Sequence, residues 1–117
     1  MIYLASPYSH PSPTVRQQRY EQAVEHAVML VNKRNEAVFS PIAHSHPMAL
    51  HGLSGAWEMW AEMDLAVIAI CEELVVLQLR GWEHSRGIAA EIAEARRLGI
   101  PVTYLAQQYE TIMEVVK

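Results

Sequence analysis

Apolar residues gather in four short runs, at 2–5, 37–39, 74–79 and 102–105. Each is too short for a helix, and β-branched or aromatic residues recur in all four, so each predicts a buried strand. Between the runs the apolar spacing lengthens to three and four. After Ser12, an N-cap with Pro13 at the first helical position, Tyr20, Ala23, Val24, Ala27, Leu30 and Val31 share one face of a first helix. A second helix is expected over 56–71, where Trp57, Trp60, Asp64, Val67, Ile68 and Cys71 form one stripe. A third is expected over 85–98, with Gly99 as its stop signal and Pro101 beyond. Residues 107–116 read as a last helix, and 40–55 as a long loop holding His44, His46 and His51.

Strands alternating with helices predict an α/β fold: a three-layer, flavodoxin- or Rossmann-like domain on a mainly parallel sheet of four or five strands. The 117 residues suffice for one such domain with its own core, so 1–117 is read as a single unit. In sheets of this kind a ligand sits beyond the carboxyl ends of the strands. Three loops should therefore converge there: 6–10, with Ser6, Tyr8 and Ser9; 40–46, with His44 and His46; and 81–87.

A formal net charge of -4 argues against a general nucleic-acid binder. The lone Cys71 excludes an internal disulfide and a thiolate metal cage. No apolar run nears the ~20 residues that span a bilayer, and the first residues lack a basic leader, so a cytoplasmic location is expected.

Two carboxylates stand out. Asp64 interrupts the inward stripe of the second helix, which is costly unless it is paired or functional; otherwise it lies at the stripe's edge. Glu91 flanks the face set by Ile88, Ile92 and Ala95, while Glu94 and Arg97 point outward as an i,i+3 pair. A generic glutamate there would be solvated. Two carboxylates at one crevice are nonetheless what glycosidic-bond cleavage requires.

Ser85, Arg86 and Gly87 open the third helix, where free amides and the dipole favour an anion. Arg86, Arg16 and Arg19 stand near two helix starts, where the dipole alone repels them. They suggest an anion between them, or are solvated. The His44/His46 pair could bind zinc only with a third ligand such as His10 or His51. Two polar histidines lining a pocket are the preferred reading, with no metal and no cofactor.

On these residues the chain resembles the nucleoside 2-deoxyribosyltransferase superfamily, in its small bacterial and phage branch. The resemblance is carried by "IYLASPYS", "FSPIAHSHP", "WAEMDLAVIAICEELVVLQLRGW" and "SRGIAAEIAEARRLGIPVTYL", nearly the whole chain. Its most specific element is the serine or aspartate six residues before a helical glutamate, here Ser85 and Glu91, with an aspartate on the preceding helix, Asp64. The resemblance implies that Glu91 is a nucleophile toward the sugar C1′, that Asp64 is the acid aiding departure of the base, and that Tyr3 borders both. It further implies that serine at position 85 goes with nucleoside monophosphates, and aspartate with free nucleosides. The "SPYSHP" loop departs from the glycine-rich loop of the mammalian nucleotide hydrolase.

The expected activity is hydrolysis of the N-glycosidic bond of a (2-deoxy)nucleoside 5′-monophosphate. The alternatives are a deoxyribosyltransferase on the same site and a catalytically silent nucleotide-binding module. A homodimer or larger assembly is expected from the resemblance and from the apolar Trp57, Trp60 and Met63.

Overall fold

The computed structural model describes residues 1–109. Four strands, β1 (Ile2–Ala5), β2 (Val38–Phe39), β3 (Glu73–Gln78) and β4 (Val102–Ala106), form one parallel sheet in the order β2-β1-β3-β4. Four helices connect them: α1 (Pro13–Arg34), α2 (Pro41–Leu50), α3 (Trp57–Ile68) and α4 (Arg86–Arg97), with a short 3-10 turn at Trp82–His84. The arrangement is flavodoxin-like. The chain runs outward from β1 to β2, then returns to place β3 on the other side of β1. The strand order therefore reverses between β1 and β3, the point at which open α/β sheets bind ligands.

Alternation along β1 decides which residue meets which layer. Ile2 and Leu4 join Val75, Leu77, Met29 and Leu30 on the α1 face. Tyr3 and Ala5 join Leu74, Val76, Ile68, Ile88 and Ala95 on the face covered by α3 and α4. Tyr3 pairs in register with Leu74, so its phenol projects from the middle of the sheet into the layer that carries Asp64 and Glu91.

Helix α1 begins as its sequence predicts, with the Ser12 hydroxyl accepting from the Val15 amide, and ends at Asn35 in the left-handed conformation. Its buried face is rotated from the expected one. Ala23, His26, Met29 and Leu30 are inside, whereas Val31 is 42% exposed. His26 tolerates burial because both ring nitrogens are matched, one to the Gln22 carbonyl at 2.7 Å and the other to the Gln108 amide at 2.9 Å.

The expected loop over 40–55 is half helix. Ser40 caps α2 through the Ala43 amide, with Pro41 at the first position, and true loop follows only after Leu50. Helix α3 stops at Ile68, so Cys71 lies beyond it in the turn into β3, though still buried. The helix expected over 107–116 falls on residues beyond the described ones, apart from 107–109, which are not helical. Among the described residues no helix is long and apolar enough to cross a membrane.

Candidate active site

Helix α3 buries Trp60, Asp64 and Ile68, four residues apart, and α4 buries Ile88, Glu91 and Ala95. Glu91 thus stands on the buried face of its helix, where the sequence pattern expected it on the flank. Ile92, expected inside, is only partly buried. Asp64 is 4% exposed and Glu91 3%. Both line one crevice of about 380 Å³ at the strand-order reversal.

The Tyr3 hydroxyl, itself fully buried, donates a hydrogen bond to Glu91 Oε2. Burial is the largest influence on the Glu91 carboxyl and pushes it up to about 8; the Asp64 charge adds to this and the Tyr3 hydrogen bond opposes it. Burial alone pushes Asp64 up to about 6. The Tyr3 phenol is driven far above its usual range, by burial first and then by the neighbouring carboxylates, so it acts as a donor and stays protonated. Near neutral pH the two carboxyls together therefore hold close to one proton and one negative charge. No arginine or lysine is paired with either carboxylate among the described residues. Asp64 Oδ1 and the Ser6 hydroxyl, both buried and both on the crevice lining, have no hydrogen-bond partner there.

The rim is polar. Ser85 caps α4, its Oγ accepting from the Ile88 amide at 3.1 Å, which leaves its own proton free to donate. The first amides of α4, at Arg86 and Gly87, have no partner within the helix. Arg19 reaches the rim from α1, donating to the Ser9 carbonyl at 2.9 Å and the Arg80 carbonyl at 3.1 Å. Burial pulls its guanidinium below its ordinary value, and among the described residues its charge meets carbonyl dipoles rather than a carboxylate. Gly81, at φ 90°, makes room for it: a β-carbon there would lie 2.9 Å from the guanidinium. Arg86 also lines the crevice but is paired across its mouth with Glu58 at 3.0 Å, both side chains exposed.

The remaining expected site residues divide. Ser6, Tyr8, Ser9 and Gly87 line the crevice; Arg16, His44 and His46 do not. Arg16 is held on the 9–11 loop by the carbonyls of His10 and Pro11. The histidine reading is corrected by α2. Two residues apart on a helix point about 200° from one another, so the pair cannot share a ligand. His44 is exposed and edges onto the Trp60 ring, while both nitrogens of buried His46 face protein groups. Among the described residues no three His, Cys, Asp or Glu side chains are grouped to hold a metal ion.

Trp57, Pro41, Ile42, Ser45 and Gly55 also line the crevice and were not anticipated as site residues. The signal for Pro41 was present, since Ser40-Pro41 repeats the Ser12-Pro13 start of α1. Trp57 packs on Gly87, and Trp60 is buried with its indole N–H on the Ser54 carbonyl at 2.8 Å. Trp60 is thus used within the chain, whereas Trp57 and Met63 are only half-buried.

Residues 1–107 match the model of a family described as "Domain of unknown function (DUF1937)". No curated protein matches the chain.

Proposed function

The chain belongs to the DUF1937 family, and from its own site we propose that it cleaves the N-glycosidic bond of a (2-deoxy)nucleoside 5′-monophosphate. The observation that carries this reading is the pairing of Asp64 and Glu91. Two buried carboxyls line one crevice with a tyrosine donor behind Glu91, and among the described residues no arginine or lysine is paired with either. Such a pair is costly to fold, and perturbed carboxyls in a cleft favour a catalytic explanation over a structural one. The sequence resemblance to nucleoside 2-deoxyribosyltransferases supports the same assignment.

Burial favours the shared proton on Glu91 at rest, and the reactive form is the one in which it has passed to Asp64. In the first step the ionised Glu91 forms a bond to C1′ as the C1′–N bond breaks, and the Asp64 carboxyl delivers that proton to the departing base. Tyr3 donates to Oε2 and leaves Oε1 to attack. In the second step water attacks C1′, the bond to Glu91 breaks, and Asp64 recovers a proton from the water. Ser85, the α4 amides and Arg19 hold the 5′-phosphate at the rim. Trp57 and Tyr8 wall the space left for the base.

Incubation with a panel of nucleoside monophosphates, followed by chromatography, tests the reading. Free base and sugar phosphate are expected, and added second base reports any transfer. Absence of base release across the panel, with unchanged substrate recovered, would reject it.

A further inference from the structure

A hydrogen-bond chain runs behind the crevice wall, and its direction follows from its far end. Glu21 on α1 has a carboxylate, which only accepts, so the Gln17 amide turns its NH₂ toward it, at 3.2 Å. The Gln17 Oε1 then faces His46 Nε2 at 2.8 Å, and an oxygen there requires Nε2 to carry the proton. His46 Nδ1 is consequently bare, and the Tyr8 hydroxyl 2.7 Å away donates to it. The Arg16 guanidinium, a donor only, also faces the Tyr8 hydroxyl, which agrees with an oxygen that accepts. The ring cannot turn to evade this. His46 is buried, stacked on Tyr20 at 4.4 Å between centroids and edged by Tyr8 at 5.4 Å. Tyr8 is fixed in its turn, because Gly55 closes so tightly on it that a β-carbon there would sit 3.1 Å from its ring.

We propose that the chain Glu21–Gln17–His46 makes the Tyr8 oxygen a hydrogen-bond acceptor only, so that this wall of the crevice selects a ligand offering an N–H or O–H donor. His46 is then a positioning residue, acting on the ligand through Tyr8. The statement about ligand choice rests on the glycosidase reading; the direction of the chain does not.

Two measurements separate the two. In ligand-free protein labelled with ¹⁵N-histidine, two-bond proton–nitrogen correlation is expected to show His46 protonated at Nε2 and bare at Nδ1. The Nδ1–H form would overturn the proposal whatever the enzyme does. The second measurement is steady-state kinetics on the 5′-monophosphates of 2′-deoxyadenosine, 2′-deoxyguanosine, 2′-deoxycytidine and thymidine. Tyr8→Phe and His46→Phe should each raise KM for the preferred substrate about tenfold, the effect of one hydrogen bond, with kcat changed far less. His46→Asn, which keeps an acceptor for Tyr8, should restore most of the loss and also serves if the phenylalanine variant does not fold. A penalty that differs among bases places the donor on the base; a uniform one places it on the sugar. A fall in kcat at constant KM in both phenylalanine variants would overturn the proposal. If none of the four is cleaved, the glycosidase reading fails and the tautomer alone decides the chain's direction.

Discussion

Tyr3 and Glu91 are 88 residues apart in sequence, yet the phenol of the first donates directly to the carboxylate of the second inside the protein. The contact is set by parity along β1, which turns Tyr3 toward α4, and by the spacing that places Glu91 between Ile88 and Ala95 on the helix face opposite. If the pair Asp64–Glu91 acts with one proton shared between them, kcat/KM should follow a bell. It should rise near pH 6 and fall near pH 8, the values to which the two carboxyls are pushed. Tyr3→Phe removes an influence that lowers the Glu91 value, so the alkaline limb should move upward and the maximum rate should fall roughly tenfold or more. A profile flat from pH 5 to 9 contradicts the shared-proton reading.

The same burial predicts an effect on stability. Glu91 is raised from 4.5 to about 8 in the fold, so folded protein keeps a proton that unfolded protein releases over that range. Its contribution is fully present below about pH 4.5 and is lost as pH rises through about 8. Glu91→Gln keeps an acceptor for Tyr3 and carries no charge. It should match the wild type at pH 4 and exceed it by ~2–4 kcal/mol at pH 8.5. Urea melts of both proteins at the two pH values check this. A stability gap that does not grow with pH counts against a costly buried charge.

Phosphate recognition at Ser85 is separable from its capping role. Ser85→Ala should lose both, with a stability loss of ~1 kcal/mol from the missing cap. Ser85→Asp keeps a cap oxygen for the Ile88 amide while repelling a phosphate. Its melting temperature should stay near wild type, and its preference should shift from monophosphates toward free nucleosides by about tenfold or more. Parallel titrations with a nucleoside and its monophosphate measure the shift. Equal weakening of both would place the phosphate elsewhere.

A 2-fluoro-2-deoxy analogue with a good leaving base should trap the glycosyl group on Glu91. The fluorine destabilises the oxocarbenium-like transition states of formation and breakdown alike, and the good leaving base keeps formation ahead. Digestion and mass spectrometry should find the added sugar phosphate on the peptide spanning residues 87–96. Glu91→Gln should show no adduct and turn over roughly 10³-fold or more slowly. An adduct on the α3 peptide holding Asp64 would exchange the two roles.

The sheet and its helices were legible because apolar runs and the signals at Ser12-Pro13 and Gly99 agree locally with the fold. Helix α2 was hidden by Pro47, which sits inside it and ordinarily argues for a loop. That one misreading carried His44 and His46 into the expected site, since a loop would leave their directions open whereas a helix separates them. Asp64 was legible as an acid inside an apolar stripe, and Glu91 as an acid flanking the buried face six residues after Ser85. The depth of Glu91 was not, because a rotation of α4 by part of a residue step moves it from flank to core. The role of Gln17 and Glu21 behind Tyr8 could not be read from spacing at all. It depends on α1 and α2 packing side by side, a tertiary fact.

Gly81 and Arg19 lie 62 positions apart and occupy one volume (81 − 19 = 62). The two obstacles to a side chain at 81 are unequal. The left-handed backbone strains any such residue whatever the space, whereas the guanidinium is the end of a flexible side chain and can swing aside. Shortening Arg19 should therefore rescue little of the cost of Gly81→Ala, and a double-mutant cycle between the two positions should show a coupling smaller than the backbone cost itself.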